Sequence, residues 1–151
     1  MKLEIKLLTE AEIDSLAPFL TALAAYHNRV AVNFSGCYPL VSVSDKCVVL
    51  KNGLAAGKSK AAVVIVNGKW EGFCAFSQAG KIGSIDYIYI NEQLRGQGAG
   101  ALLMQWMLTE LDRLDVELIE LKAIVGNEQA VRFYEQYGFA ARAVVLAKKL
   151  L

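Results

Sequence analysis

The chain has 151 residues, 55% of them hydrophobic, and a formal net charge of +1; it is long enough for one domain, 1–151, that buries roughly two-thirds of its unfolded surface. This composition excludes disorder, the balance of basic and acidic residues points to neither nucleic acid nor an anionic membrane, and no apolar run approaches the ~18 residues of a membrane span. Cys37, Cys47 and Cys74 are odd in number and lack CxxC spacing, so reduced thiols are expected instead of a disulfide framework or a zinc site. His27 is the only histidine; no metal is expected, and a capping or surface role suits it best.

The start, MKLEIKLLTE, alternates charged and apolar residues, which predicts a half-buried strand through Leu3, Ile5 and Leu7 and not a secretory h-region. A cytoplasmic protein is the expectation. Thr9 and Glu12 form a capping box for a helix bearing Leu16, Phe19, Leu20 and Leu23, which Pro18 should kink or divide. Residues 28–43 read as irregular, and a second helix should run from Ser44 or Asp45 to about Ala56. AAVVIV, Asn67-Gly68 and KWEGFCAFSQ predict a hairpin with a two-residue turn, because Asn-Gly accepts the positive φ that a type I′ turn needs. Ala79-Gly80 turns the chain into a third strand ending IDYIYI. A helix with Leu103, Met107, Leu111 and Leu114 on one face follows, then VELIELKA as a strand, a last helix over 128–137, and ARAVVLAKKL as a final strand. The order β-α-α-β-β-β-α-β-α-β gives an α/β or α+β fold, a mixed sheet with helices on its faces.

Residues 88–100, IYINEQLRGQGAG, run a β segment into a glycine-rich turn and a helix. Gly96, Gly98 and Gly100 let backbone N–H groups converge, the helix adds its free amides and positive dipole end, and Arg95 adds a permanent charge. Phosphate is the natural guest. A dinucleotide fingerprint is formally met by Gly96, Gly98 and Ala101 with Glu120 downstream, but NEQLR separates the glycines from their strand and few βα units follow. NGLAAGKSK at 52–60 misses a Walker A loop by one residue, since Asn52 stands where its first glycine belongs.

Arg95-x-x-Gly98-x-Gly100 resembles the Q/R-x-x-G-x-G/A signature of the GNAT N-acetyltransferase superfamily. Asn127, Ala130, Phe133, Tyr134 and Tyr137-Gly138-Phe139 resemble that family's second motif, N-x-x-A-x-x-x-Y-x-x-x-G-F. The likeness is close over residues 80–140 and rests elsewhere on element order. It implies acetyl-CoA as co-substrate, held by Arg95, Gly96, Gln97, Gly98, Ala99 and Gly100 at its pyrophosphate, by the backbone at Ile88, Tyr89 and Ile90 along its pantetheine arm, and by Asn127. It implies Tyr134 as general acid and, as in some relatives, Asp86 as general base. By position, residues 28–58 wall the acceptor pocket. Asn127 also reads as the N-cap of the last helix, Tyr134 as a core aromatic on the stripe of Ala130 and Tyr137, and Asp86 as a paired or solvated strand residue. Many relatives finish with two strands after the YGF element; only twelve residues remain here, so the sheet's end is reduced or completed by a partner subunit, and relatives often pair as homodimers.

The implied reaction sets two proton problems. An alkyl ammonium of pKa near 10.4 is uncharged in about one molecule in 2,500 at pH 7, a cost of about 4.6 kcal/mol, whereas a thiolate of pKa about 8.5 leaves readily. A base at the acceptor therefore matters more than an acid at the thiol. The expected activity is transfer of acetyl to a primary amine, on a small molecule or a peptide N-terminus, by direct attack in a ternary complex. A non-catalytic acyl-CoA-binding or regulatory domain and a dinucleotide oxidoreductase are the other readings.

Overall fold

The computed structural model describes residues 2–150. Its elements are β1 (Leu3–Leu7), a 3-10 turn (Glu10–Leu16), α1 (Ala17–Val30), α2 (Val43–Ala55), β2 (Ser59–Val66), β3 (Lys69–Ala79) and β4 (Ile82–Ile90). After a second short 3-10 turn (Glu92–Leu94) come α3 (Ala99–Arg113), β5 (Leu118–Leu121) and α4 (Glu128–Glu135). The five strands lie in chain order, antiparallel as far as β4, with β5 parallel to it. This is the mixed α/β sheet expected from the element order.

The local signals act as chemistry requires. Glu12 accepts the Thr9 N–H at 3.0 Å, closing the capping box. Pro18 sits in the first turn of α1, where its missing N–H costs nothing, and divides the helix from the 3-10 turn before it. Asn67 (φ 52°) and Gly68 (φ 78°) make the β2–β3 turn. Because both sheet faces are covered, β2 reads as a continuous apolar run, with Val63 packing under α1 and α2 and Val64 under α3. Ile13, Leu16, Leu20, Leu50 and Phe73 fill the α1–α2 face. Phe76, Ile85, Leu103, Met107 and Leu111 fill the α3–α4 face. Cys37, Cys47 and Cys74 are free thiols, the last two buried. Among the described residues no helix is long and apolar enough to cross a membrane.

The final strand expected over 141–150 does not form among the described residues. Val144, Val145 and Leu146 stand 77%, 73% and 89% exposed, so nothing covers the apolar run that suggested a strand. Strand propensity becomes a strand only against a hydrogen-bonding edge. The segment's one ion pair to β5 joins Arg142 to Glu120 at 2.5 Å, and no ladder follows from it.

Candidate active site

The site begins where two strands part. β4 pairs with β5 only from Ile82 to Ile85, against Leu118 to Leu121, yet β4 continues to Ile90. Beyond Ile85 the sheet therefore opens between β4 and the segment that leads into α4. The Asn91 N–H donates to Glu71 O at 2.8 Å, and Tyr89 and Tyr87 pair with Phe73 and Ala75. The alternation of an antiparallel ladder then turns the backbone groups of Tyr87 and Tyr89 toward β3 and those of Ile88 and Ile90 toward the opening. Of the three backbone positions expected along the pantetheine arm, Ile88 and Ile90 face the gap, while Tyr89 offers it no amide.

A β-bulge sits at the mouth of this opening. The β3–β4 register slips between Ala75 and Phe76, which oppose Tyr87 and Ile85, leaving Asp86 as the extra residue. Ile85 and Ile88, three apart, consequently both pack toward α3, while Tyr87 and Tyr89 pack toward α1. A strict two-residue alternation would have set Asp86 against Tyr87 and Tyr89; the bulge breaks it at that residue. The Ser84 hydroxyl donates to Asp86 Oδ1 at 2.9 Å. Burial nevertheless pushes the Asp86 carboxyl above its ordinary range, outweighing the lowering by Ser77 and Ser84.

At the C-terminal end of β4 the glycine turn leads into α3. Gly96 and Gly98 have φ of 79° and 90°, and a Cβ built on either would meet nothing within 4 Å. Gly98 caps α3, so the amides of Ala99, Gly100 and Ala101 begin the helix without intrahelical partners. Gln97 folds back, its amide donating to Gln93 O at 3.2 Å. A Cβ on Gly100 would lie 3.5 Å from the Phe133 ring, an ordinary van der Waals contact with α4. The Arg95 side chain runs to the other face. Its Nε donates to Ile90 O at 3.2 Å, and its guanidinium lies 4.6 Å from the Tyr26 ring centroid and 5.7 Å from that of Tyr89.

The far wall of the opening is residues 123–127. Asn127 is the N-cap of α4, its Oδ1 accepting from Ala130 N at 3.4 Å and from the Tyr26 hydroxyl at 3.3 Å. Val32 N–H donates to Val125 O at 2.9 Å, and a Cβ on Gly126 (φ 112°) would stand 2.1 Å from Val30 O. The end of α1 is thus seated on this wall. On the opposite face Tyr134 packs among Phe133 and Phe139, and burial pushes its hydroxyl up to about 12. That hydroxyl has no hydrogen-bond partner among the described residues, yet none of their buried side-chain oxygens is unsatisfied, so it must reach an open surface.

Sequence reasoning missed Tyr26, Gly126 and the bulge. Only Gly126 left a visible mark, as a glycine one residue before an N-cap. The arrangement fits a CoA thioester on two counts: positive-φ glycines with open space beside free helix amides, and strand backbone left without a neighbouring strand at Ile88 and at the Ile90 N–H for an amide-bearing arm.

Comparisons with known proteins bear on the family and the fold. Residues 23–139 match the family model described as acetyltransferase (GNAT) family. Among solved structures, the PaiA N-acetyltransferase of Thermoplasma acidophilum in complex with coenzyme A superposes with a TM-score of 0.79 at 13% identity, covering 96% of this chain and 94% of that one. A predicted acetyltransferase with acetyl-CoA from Clostridium acetobutylicum gives 0.77 at 17% identity over 99% and 97% of the two chains. The ribosomal-protein-alanine N-acetyltransferase of Brucella melitensis gives 0.69 at 21% identity over 99% and 100%. At these identities they speak for the fold alone. No curated protein matches the sequence.

Proposed function

The chain belongs to the acetyltransferase (GNAT) family, and from that membership we propose that it is an N-acetyltransferase that uses acetyl-CoA to acetylate a primary amine. The observation that carries the reading is the coincidence, at one end of β4, of the strand opening after Ile85, the bulged Asp86 and the glycine turn at the start of α3. When bound, acetyl-CoA supplies an activated acetyl thioester. Amides of residues 98–101 would hold its pyrophosphate, and Ile88 and Ile90 would hydrogen-bond its arm.

The chain's own residues then manage protons. Asp86, directly or through one water, takes the proton that an alkyl ammonium gives up at a cost of about 4.6 kcal/mol at pH 7. Its raised carboxyl makes it a stronger base than an ordinary aspartate. Tyr134 keeps its proton at every working pH, since burial holds it at about 12. Giving that proton fully to a thiolate of pKa about 8.5 would cost about 4.8 kcal/mol, so Tyr134 acts chiefly as a hydrogen-bond donor to the leaving sulfur. Asp86 works from the α1–α2 side of the sheet and Tyr134 from the α3–α4 side, which suits an acceptor and a thiol meeting through the gap between β4 and the wall.

The test is release of free thiol from acetyl-CoA across a panel of amines. Amine-dependent release supports the reading. A ligand-induced rise in melting temperature without release from any amine would favour the non-catalytic acyl-CoA-binding domain.

A further inference from the structure

On the α1–α2 side of β4 three cations have no carboxylate partner among the described residues. Arg29 and Arg95 address the same ring, at 5.5 and 4.6 Å from the Tyr26 centroid. Lys46 of α2 stands 5.9 Å from the Tyr87 ring. Among the described residues eight ion pairs form elsewhere, and none includes these three. The acids at hand are otherwise engaged. Glu128 pairs with Arg132, Glu71 accepts the amides of Asn91 and Gln93, and Asp86 accepts the Ser84 hydroxyl. Burial alone lowers Lys46, with no carboxylate offsetting it, and burial together with Lys46 lowers His27. Like charges set around the Tyr26 and Tyr87 rings repel one another and any cationic guest. They are stabilised by an anion.

Resting on the acetyltransferase reading above, we propose that Arg29 and Arg95 bind an anionic group of the acceptor, so that the substrate is a primary amine carrying a carboxylate. Tyr26, Tyr87 and Tyr89 flank its chain, and Asp86 receives the amine's proton at the other end of the exposed stretch of β4, roughly 10 Å from Tyr89 along the strand. A guanidinium pair suits a carboxylate because its forked donors match both oxygens. Polyamines, whose second charge would fall among Arg29, Arg95 and Lys46, are disfavoured. The other source of an anion here is a phosphate of the co-substrate, and the experiment separates the two.

Matched acceptors are compared by thiol release from acetyl-CoA: an α-amino acid, an ω-amino acid and a dipeptide, each against its carboxamide. For at least one spacing the carboxylate form should have kcat/KM about 30-fold above its carboxamide, chiefly through KM, the size expected of charge-assisted hydrogen bonds. Arg29→Ala should collapse that ratio toward one, Arg29→Lys should restore part of it, and the acetyl-CoA-induced melting shift should persist in both. Carboxamides or diamines turned over as well as carboxylates would overturn the proposal. So would an Arg29→Ala variant that loses the acetyl-CoA shift instead, since the anion would then belong to the co-substrate. If acetyl-CoA binds but no acceptor is acetylated, the N-acetylated carboxylates are added with CoA; no further melting shift beyond that of their carboxamides overturns the proposal. Absence of any acetyl-CoA shift overturns the acetyltransferase reading and this one together.

Discussion

The Tyr26 hydroxyl of α1 donates to Asn127 Oδ1 at 3.3 Å, joining the helix above the sheet to the cap of α4 across the opening between β4 and β5. The same oxygen accepts the Ala130 N–H at 3.4 Å, so the two bonds share one acceptor. Asn127→Ala should cost about 1 kcal/mol of stability through the lost cap. Tyr26→Phe should cost about 0.5 kcal/mol, because the bond is long and the ring keeps its contact with Arg95. Denaturant unfolding of the double variant should show less than the sum of the two losses. Strict additivity would mean that the hydroxyl and the cap are independent.

Gly126 is a second joint between α1 and the wall. Alanine there meets Val30 O and must also hold a φ of 112°. Gly126→Ala should therefore lose about 2–3 kcal/mol and lower Tm by about 5–10 °C. Gly80→Ala provides the control, since its Cβ meets nothing within 4 Å at a φ of 61°. If the two variants melt alike, the contact with Val30 is not what Gly126 is for.

Tyr134→Phe removes a hydroxyl without a partner among the described residues and leaves its packing with Phe133 and Phe139. Melting temperature should stay within a degree or two, while kcat falls by roughly 10² and apparent acetyl-CoA affinity changes little. A stable variant with near-normal kcat would return Tyr134 to the core.

For Asp86 the sign of the shift matters. Its folded-state pKa is raised, so its contribution to stability is complete below the unfolded carboxyl value and is lost as pH rises through the folded one. Above that window the ionised carboxylate is a cost, and Asp86→Asn should fold at least as stably as wild type at pH 7. As a base, Asp86 must be ionised, so wild-type kcat/KM should show an acid limb above the ordinary carboxylate range. The asparagine variant should be depressed near neutrality and recover as pH approaches the amine's own pKa, about 10.4. Profiles that run parallel from pH 6 to 9.5 would leave deprotonation to another group.

Local signals in the sequence carried most of the fold. The Thr9 box, the Asn67-Gly68 turn and the apolar stripe of α3 are short-range patterns that formed where they were expected, except that Leu114 of the stripe caps the helix and stands exposed. The glycine turn was legible for the same reason. What stayed hidden depends on partners distant in sequence. The bulge that frees Asp86 is a property of β3 and β4 together, with no marker in IGSIDYIYI alone. The contact of the Arg95 guanidinium with the Tyr26 ring, nearly seventy residues earlier, likewise has no marker in the local sequence around the glycine turn. The run at 141–150 shows the converse: its valines have strand propensity and no edge to satisfy it.

The central claim is that the turn at Gly98 and the open edge of β4 hold acetyl-CoA, and a melting titration tests it most directly. At a hundredfold excess over Kd, acetyl-CoA should raise the wild-type Tm by about 5–10 °C, from about 2.7 kcal/mol of linkage, while NAD should leave it unmoved. Gly98→Val should still unfold cooperatively, having open space around its side chain but a strained φ of 90°, and should show no rise with acetyl-CoA. An equal rise in the variant, or a rise with NAD and none with acetyl-CoA, would contradict the assignment.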